Sequence, residues 1–423
     1  MLILTELTTN CKILLSHNLY LPRMKILYIS NRIPFPPQSG YRILVHNTIQ
    51  GVVNEGVEVT LFSLNPHKHY TDVRHLTDPL LNKIELRSCG INTDFNNWEA
   101  VKSIASKKAY TISRFYNENV SAQLKDVLRK NEFDIIQLEG LFVVPYLSLI
   151  RQLSKAKVVY RAHNIEYQIW ERQADSARSP LRRIYLNILA SRLKKYELEN
   201  INKFDAVTTI TNSDKRELQY MGCNLSMETF RVTVNPDEYV SDFKQMEYPS
   251  IFHLGSMDWL PNREGVEWFI NYVWNDLEQL NVGLKFHIAG KSIPQEFYDH
   301  PSKNIVFHSD LHDAKLFMNS KSIMIVPLQS GSGMRVKIIE GMAMKKCIIT
   351  TSKGAEGIRY EHGKNILIAD TPDEFYRYIL QCTTDRNLCE TIGENARKLI
   401  ERDHNTKITS KNLMSFYYNL INS

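Results

Sequence analysis

A glycine turn followed by basic residues is the clearest chemical signal in this sequence. The apolar run SIMIVPL predicts a strand, and Gly331, Ser332 and Gly333 follow it directly before a helical pattern. Glycines let backbone N–H groups approach a ligand, and a helix N-terminus carries about half a positive charge. We expect Arg335 and Lys337 in the first turn of this helix. Cations are unfavourable beside the positive end of the helix dipole, so their placement there is reasonable if an anion is bound above them. The pattern is typical of a phosphate site, although an ordinary turn with two solvated cations explains it equally well.

A carboxylate lies further along the same predicted helix. Glu340 is surrounded by apolar residues such as Ile338, Ile339 and Met342, which predicts a largely buried helix. A buried carboxylate is costly unless it is paired or bonded to ligand hydroxyls. Because Lys337 precedes Glu340, the two have the poorer orientation for an ion pair. We therefore favour contact with two vicinal hydroxyls of a nucleotide sugar over a structural ion pair.

Two series of alternating strands and helices must position these residues. In the first half the apolar runs are KILYIS, VEVTLFSL, KIELRS, FDIIQLE, AKVVYRA and FDAVTTIT. After residue 250 they are SIFHLG, LKFHIAG, NIVFHS, SIMIVPL, CIITT and NILIA. Parallel neighbours need a crossover long enough to hold a helix, so both series predict doubly wound α/β sheets. Ligands of such sheets bind beyond the carboxyl ends of the strands, which predicts a cleft between two domains.

The pattern divides the chain into five parts. Residues 1–23 are expected to be a disordered extension or a mis-called start, because they lack the continuous apolar core of a signal peptide. A Rossmann-like domain follows over 24–235, and the polar, proline-containing stretch 236–249 is the predicted linker. We expect a second Rossmann-like domain over 250–405 and a helix over 406–423 that packs back on the first domain.

Composition limits the class of protein. The 423 residues are 43% hydrophobic, and no apolar run reaches the roughly 18 residues of a membrane span. This mixture excludes a disordered tail, a collagen-like fibre and a membrane bundle. Six scattered cysteines without a C-x-x-C pair favour a cytoplasmic protein over a disulfide scaffold or zinc ribbon. The net charge of +6 fits anionic small molecules or lipid surfaces, and no nucleic-acid-binding module is recognisable.

The first half contributes two further candidates. Gly40 ends the PFPPQSG turn before a helical pattern, which fits either close approach to a ligand or an ordinary strand-to-helix turn. His163 follows the strand AKVVYRA at its carboxyl end, where the cleft is expected, although a lone histidine is more often structural than catalytic. Asn164 and Glu166 come next, at the start of a predicted helix, and are candidate caps.

Together these motifs resemble family 4 of the retaining glycosyltransferases, which have the GT-B architecture of two Rossmann-like domains facing each other across a cleft. PLQSGSGMRVKIIEGMAM, followed by a strand and GAEGI, is similar to the donor-site signature of this family. FHLGSMDWLPNREGVEWFI, LKFHIAGK and VFHSDLHDAKLFMNSKSIMIVP are similar to other parts of the donor domain. MKILYISNRIPFPPQSGYR and VVYRAHNIEYQIW are similar to the acceptor-side domain, so the resemblance spans about residues 24–405.

The resemblance implies a role for each matching residue. Glu340 matches the glutamate that binds the ribose of the donor, and Arg335 and Lys337 match basic residues that face the diphosphate. His163 matches the family's histidine, and this match together with its position favours a substrate contact, in which it would orient the sugar or the backbone and not act as a nucleophile. The other positions that match donor-binding residues are Gly40, Gly255, Ser256, Ser332, Gly333 and Met334.

Two positions depart from the family pattern. A second glutamate often stands eight positions before the ribose-binding one, but Ser332 occupies that position here. The usual arginine–lysine pair near the first helix of the second domain is not evident in SMDWLPNREG. Both departures are similar to a subgroup with the GSGxRxK form of the loop. They leave the donor sugar and the phosphate ligands open.

The resemblance implies a retaining, hexosyltransferase-like enzyme that moves a sugar from a nucleotide-diphosphate donor to a hydroxyl acceptor. The implied partners are a nucleotide sugar and a sugar or lipid-linked acceptor in the synthesis of cell-envelope polysaccharide or glycoconjugate. We expect no cofactor besides the donor substrate and no obligatory metal, since no Asp/His cluster has metal spacing. Two alternatives stay open: a non-catalytic nucleotide-sugar-binding protein, motivated by Ser332, and a nucleotide-sugar epimerase of the same fold.

A basic run between Arg178 and Lys195 suggests a membrane contact. It combines cations such as Arg182 and Arg183 with leucines such as Leu181. Such a segment can lie on an anionic membrane and hold an enzyme at its inner face. We favour the simpler interpretation, a core-packed helix with a solvated basic face.

Overall fold

The computed structural model describes most of the chain, in the ranges 23–94, 109–177, 179–280, 283–309, 311, 313–331 and 333–423. Two residues singled out in the sequence, Arg178 and Ser332, lie outside the described residues. Residues 1–22 of the predicted extension also lie outside them. No helix of the described part is long and apolar enough to cross a membrane.

A seven-stranded parallel sheet forms the first domain. Its strands are β1 (Lys25–Ser30), β2 (Glu58–Pro66), β3 (Glu85–Ile91), β4 (Ile135–Glu139), β5 (Lys157–Ala162), β6 (Ala206–Thr209) and β7 (Ser226–Thr229). They lie in the order β3-β2-β1-β4-β5-β6-β7. The first six coincide with the six apolar runs of the sequence. The seventh strand was not predicted, because Met227 is the only buried residue in it.

A six-stranded parallel sheet forms the second domain. Its strands are β8 (Glu247–Leu254), β9 (Lys285–Gly290), β10 (Ile305–Ser309), β11 (Lys321–Val326), β12 (Cys347–Thr350) and β13 (Leu367–Ile368). They lie in the order β10-β9-β8-β11-β12-β13. β8 begins inside the predicted linker 236–249, where Glu247 forms an ion pair with Lys321 of β11. A strand that starts with polar residues gives no apolar signal, so the predicted boundary at 250 is too late.

Helices connect the strands of both sheets. In the first domain they are α1 (Gly40–Asn54), α2 (Tyr110–Ser113), α3 (Glu118–Lys130), α4 (Leu147–Leu153), α5 (Glu166–Asp175), α6 (Pro180–Asn200) and α7 (Asn212–Tyr220). In the second they are α8 (Leu260–Phe269), α9 (Asn275–Leu280), α10 (Gln295–Tyr298), α11 (Ala314–Asn319), α12 (Val336–Ala343), α13 (Pro372–Thr384) and α14 (Arg386–Asp403). A π-helical segment, Ile270–Trp274, connects α8 to α9.

Both faces of the first sheet are covered by apolar side chains. Along β1, Leu27 and Ile29 belong to one buried cluster, while Ile26 and Tyr28 belong to another. Alternate residues of a strand point to opposite faces, so the two clusters lie on the two sides of the sheet. A strand buried on both faces reads as a continuous apolar run, which explains why KILYIS was recognisable.

The last helix, α15 (Thr406–Ile421), lies against the first domain. Its residues Leu413 and Tyr417 are buried in the same cluster as Ile26 and Tyr28 of β1. The chain therefore passes from the first domain to the second and back again. The first strand and the last helix of the described chain share one apolar core.

The two passages between the domains are joined by hydrogen bonds. The Val234 N–H donates to the carbonyl of His404 at 2.9 Å, and the Thr406 N–H donates to the carbonyl of Val234 at 3.0 Å. His404 is fully buried and its Nδ1 lies 2.6 Å from the carbonyl of Val232. These contacts form a short two-stranded connection between the domains.

Candidate functional site

A cavity of about 400 Å³ lies where the two domains face each other. Five residues singled out in the sequence line it: Gly40, His163 and Asn164 from the first domain, and Gly333 and Met334 from the second. Each follows a strand or begins a helix, and parallel topology brings such positions to the same edge of a sheet. The cavity is within the size range of small-molecule sites.

The glycine turn beside the cavity has the backbone conformation that glycine favours. Gly331 has φ 97° and Gly333 has φ 85°, both in the left-handed region. A Cβ built on Gly333 would lie 3.5 Å from Oδ1 of Asn164 in the other domain. The backbone conformation of the turn therefore favours glycine at this position, while a Cβ there would be in ordinary contact with the first domain.

Arg335 lies just before helix α12 instead of in its first turn. The helix begins at Val336, and Arg335 takes the extended N-cap position with φ −87° and ψ 92°. The prediction was one residue too early because the turn ends in an extended residue that sequence periodicity does not show. Arg335 Nη1 donates to the carbonyl of Gly333 at 2.7 Å, and its Cζ lies 5.0 Å from the ring centroid of Trp259. Burial lowers the pKa of Arg335 to about 10.

Lys337 reaches from the first turn of α12 to the carboxyl end of β8. Its Nζ donates to the carbonyl of Leu254 at 3.0 Å and to Oδ1 of Asn262 at 2.8 Å. Nε2 of the buried His253 lies 3.3 Å away and accepts from the ammonium. Burial, together with the nearby charge of Arg335, lowers the pKa of Lys337 to about 7. Its charge is therefore available near neutral pH and sensitive to a bound anion.

Gly255 and Ser256 hold the loop that receives Lys337. A Cβ on Gly255 would lie 2.5 Å from Nδ2 of Asn262 and 3.0 Å from Nζ of Lys337, so a larger residue would displace both. The carbonyl of Ser256 accepts from Nδ2 of Asn262 at 2.8 Å, and its hydroxyl donates to Asp258 at 3.4 Å. Neither Gly255 nor Ser256 is among the described residues that line the cavity.

Glu340 faces a second cavity, of about 600 Å³, instead of the first. Tyr239 donates to its Oε1 at 3.1 Å, and Lys315 also lines this space. Burial raises the pKa of Glu340 despite the hydrogen bond from Tyr239, which lowers it.

Leu44 of α1 and Val336 of α12 belong to an apolar cluster between the two domains. Both residues also line the first cavity, so this contact lies alongside it.

His163 has a fixed orientation at the wall of the first cavity. Its Nε2 lies 2.6 Å from Oε2 of Glu139, and its ring stacks on Tyr41 with centroids 4.9 Å apart. Burial lowers the pKa of His163 although Glu139 raises it. Burial also raises the pKa of Glu139, but Arg161 and His163 outweigh burial and leave it below its ordinary value. A neutral imidazole therefore donates Nε2–H to an ionised carboxylate, and Nδ1 is left as an acceptor.

Buried polar residues behind His163 were missed in the sequence. Nε2 of Gln137 donates to Glu139 at 2.5 Å, and the hydroxyl of Tyr417 donates to Gln137. Arg161 donates to Thr48 at 2.7 Å and lies 3.8 Å from Glu139. Glu139 could have been found as the polar end of the run FDIIQLE, since carboxyl strand ends face the cleft. No sequence signal indicates Tyr417, which comes from α15.

Helix α5 is capped by Glu197 of α6, not by the candidate Asn164. The Glu197 carboxylate accepts from the backbone N–H groups of Glu166 and Tyr167, each at 3.1 Å. Asn164 is directed toward the glycine turn of the other domain. Burial raises the pKa of Glu197 to about 8 and that of Glu166 to about 7. Two buried carboxyls therefore lie at the N-terminus of a helix that lines the cavity.

Positive charge at the glycine turn comes from the protein itself. Arg335 and the N-terminus of α12 lie there, whereas the Lys337 ammonium is held at the carboxyl end of β8. Among the residues that the structure describes, no group of three or more His, Cys, Asp or Glu side chains could hold a metal ion.

Parts of the chain are similar to known proteins. Residues 248–385 match the family model described as Glycosyl transferases group 1. A Klebsiella pneumoniae protein, named as an uncharacterized 44.6 kDa protein in the cps region, is 22% identical over 298 residues. That match covers 68% of this chain and 74% of the relative. The matched range runs from β8 to α13 and contains the glycine turn, Lys337 and Glu340.

Two solved structures share the architecture of the whole chain. Sucrose-phosphate synthase from Thermosynechococcus elongatus has a TM-score of 0.68 at 15% identity, covering 94% of this chain and 99% of its own. The fold is GT-B. Anabaena HepE in complex with UDP and glucose has a TM-score of 0.64 at 14% identity, covering 94% of this chain and 100% of its own. The expected two-domain GT-B architecture is confirmed, and the matches together support a GT-B glycosyltransferase.

Proposed function

We propose that this GT-B protein transfers a sugar from a nucleotide-diphosphate donor to a hydroxyl acceptor, with retention at the anomeric carbon. The observation that carries the proposal is the cavity in which the glycine turn of the second domain faces Gly40 and His163 of the first. The group 1 match and the relative from the cps region support sugar transfer in the synthesis of polysaccharide or glycoconjugate.

The glycine turn is the proposed site of the donor diphosphate. Backbone N–H groups at Gly333 and Met334 and the N-terminus of α12 present partial positive charge to the cavity. Lys337 adds a charge that an anion draws to its protonated form, while Arg335 holds the turn through the Gly333 carbonyl. Fixed positive charge at this place stabilises the negative charge that develops on the departing diphosphate.

Glu340 is the proposed ligand of the donor ribose. Its carboxylate is held by Tyr239 in the second cavity and can accept from vicinal hydroxyls. A donor that reaches from the glycine turn to Glu340 passes the place where Leu44 packs against Val336. We propose that the domains separate at this apolar contact when the donor enters.

The proposed chemistry exchanges one bond at the anomeric carbon for another. The bond from this carbon to the phosphate oxygen breaks while a bond to the acceptor oxygen forms on the same face. The acceptor proton passes to the leaving phosphate oxygen, so a protein base is not required. His163 Nδ1 accepts from a sugar hydroxyl and thereby orients the donor, because Glu139 and Tyr41 fix the ring.

A panel of nucleotide sugars and hydroxyl acceptors tests the proposal. We expect transfer with one donor, and an unchanged anomeric configuration in the NMR spectrum of the product. Lys337→Met and Glu340→Gln should each lower kcat/KM by about 10²-fold or more, as loss of a charge-stabilising group does. Lys125→Gln, which changes an exposed lysine on α3, is the matched control.

Each outcome of this panel has a distinct meaning. Wild-type turnover in both site variants contradicts the assignment of the site. Binding of a nucleotide sugar without transfer or hydrolysis identifies a non-catalytic binding protein. An altered sugar in the absence of any acceptor identifies an epimerase.

We also propose that the start of helix α6 touches an anionic membrane. Leu181 is 81% exposed and Ile184 is 58% exposed, and both stand beside the exposed Arg182 and Arg183. The helix does pack on the core with residues such as Leu193. One side of the helix therefore packs on the core, as the simpler interpretation predicts. At the start of the helix, the exposed side carries both apolar residues and cations. Such a face is typical of helices that lie in the headgroup region.

Vesicle co-sedimentation tests the membrane contact. We expect the protein to pellet with vesicles containing anionic lipid and to stay in solution with purely zwitterionic vesicles. Leu181→Ser combined with Ile184→Ser should abolish the binding. Tyr220→Ser, which removes another fully exposed apolar side chain on α7, should leave it unchanged. Equal pelleting of all variants would exclude α6 as the contact.

A further inference from the structure

A group of basic side chains lies on the first domain, at the same end of its sheet as the first cavity. This basic rim consists of Arg32, Arg42, Lys68 and His69. Arg32 follows β1, whereas Lys68 and His69 follow β2, and the parallel pairing of these strands brings their carboxyl ends to one edge. Arg42 lies in the first turn of α1 at the same edge. The rim therefore lies at the end of the sheet that faces the second domain.

A single aromatic ring connects the rim to the cavity. Cζ of Arg32 lies 5.0 Å from the ring centroid of Tyr41. The same ring stacks on His163, and both Tyr41 and His163 line the cavity. An acceptor with its hydroxyl at His163 would therefore have its adjoining groups within reach of Arg32.

The nearby carboxylates are already engaged elsewhere. Asp72 pairs with Arg74 at 2.7 Å, and Asp78 pairs with His46 at 3.0 Å. Glu139 is fully buried in its contacts with His163 and the residues behind it. Among the described ion pairs, none gives Arg32, Arg42 or Lys68 a carboxylate partner. The basic rim thus concentrates positive charge without a counter-charge of its own.

The positive charges of the rim lower the pKa values of some of its members. Burial and then the charges of Arg32, Lys68 and Arg42 lower the pKa of His69. Burial and then Arg32 lower the pKa of Arg42. Glu166 faces Arg32 from α5, but burial raises its pKa to about 7, so at neutral pH it is only partly ionised. Like charges held together in this way cost free energy, which a bound anion offsets.

Two of the rim cations are held in place by neutral groups. Arg42 donates to the carbonyl of Phe35 at 3.4 Å and to Oγ1 of Thr71 at 3.1 Å, which fixes the direction of its guanidinium. Arg32 is half-buried against Tyr41. Guanidinium groups positioned in this way bind phosphate and carboxylate oxygens through paired hydrogen bonds.

We propose that the basic rim binds an anionic group of the acceptor, a phosphate, diphosphate or carboxylate, while the acceptor hydroxyl enters the cavity at His163. This inference rests on the proposed sugar transfer and specifies the chemical class of the acceptor. A lipid-linked diphosphate and an acidic sugar share this chemistry. The rim is separate from Arg335 and Lys337, which face the donor.

Binding of small probes to the full chain tests the proposal without any turnover. The protein is saturated with UDP and titrated with farnesyl diphosphate, glucuronate and uncharged glucose. We expect at least one anionic probe to bind, with affinity that falls as salt rises. Arg32→Gln combined with Arg42→Gln should weaken that binding at least tenfold, while the affinity for UDP stays unchanged. Tighter binding of the diphosphate indicates a lipid-linked acceptor, and tighter binding of glucuronate indicates an acidic sugar.

Controls separate this inference from the proposed function. Arg32→Gln alone removes a cation to which the described residues give no ion pair, so it tests the rim even if the double variant is unstable. Lys125→Gln removes a distant exposed cation and should change nothing. Failure of both anions to bind, or equal binding by wild type and the Arg32→Gln variant, overturns the inference. If the wild type does not bind UDP, the donor site fails, while anion titration without UDP still tests the rim.

Discussion

Protonation of Lys337 on donor binding is a direct test of the proposed diphosphate site. Burial lowers the pKa of Lys337 to about 7, so at pH 8 only about one tenth of the free protein carries the charge. A diphosphate beside Nζ favours the charged form and returns the pKa toward its ordinary value. Binding of UDP at pH 8 should therefore take up about 0.9 proton from solution. At this pH the terminal phosphate of UDP, with a second pKa near 6, is already deprotonated and contributes little.

Isothermal titration calorimetry in two buffers of different ionisation enthalpy measures this uptake. Tris and triethanolamine serve, because neither carries an anionic group that competes for a phosphate site. Lys337→Arg keeps the charge but does not titrate, so its uptake should fall to about zero while UDP still binds. Lys337→Met should lose both the uptake and most of the affinity. No proton uptake by the wild type at pH 8, or the same uptake by the arginine variant, would refute the reasoning.

Three further predictions concern the turn, the buried carboxyls and the last helix. Gly333→Ala places an L-residue at φ 85°, which costs about 1–2 kcal/mol, and should weaken UDP binding. Gly222→Ala, at φ 95° with no atom near its Cβ, should lower the melting temperature similarly and leave UDP affinity unchanged. Glu197, with a folded pKa of about 8 against 4.5 unfolded, binds more protons when folded, so stability should fall as pH rises through this window. Glu197→Gln should flatten that profile in melting-temperature scans, and an unchanged slope would contradict the assignment. Leu413→Ala should cost about 2–5 kcal/mol in urea unfolding, whereas Leu181→Ala on the surface should cost less than about 0.5 kcal/mol.

Most strands of this fold could be predicted from the sequence because they are buried on both faces. Runs such as KILYIS and SIMIVPL carry an apolar signal along their whole length, and they form β1 and β11. The signal failed at the edges of the pattern. β7 buries only Met227, and β8 starts with the polar residue Glu247, whose pairing with Lys321 depends on residues far along the chain. Local sequence does not encode such partners.

The residues of the candidate site show the same contrast between local sequence signals and contacts with distant residues. Gly40, His163 and Gly333 were singled out from their places at strand ends and helix starts, and Met334 from the family resemblance. All four line the first cavity. Their supporting contacts depend on distant segments instead. The hydroxyl of Tyr417 in the last helix donates to Gln137, which in turn donates to the carboxylate of Glu139. No local sequence pattern indicates these contacts.

Helix α15 has a consequence for how the protein forms during synthesis. The apolar core that covers β1 includes Leu413 and Tyr417, which the ribosome adds only after the entire second domain. Until then one face of the first sheet lacks part of its cover, and contacts so distant in sequence form slowly. The nascent first domain is therefore a natural client for chaperones. A chain terminated before Thr406 would retain that exposed surface permanently and aggregate.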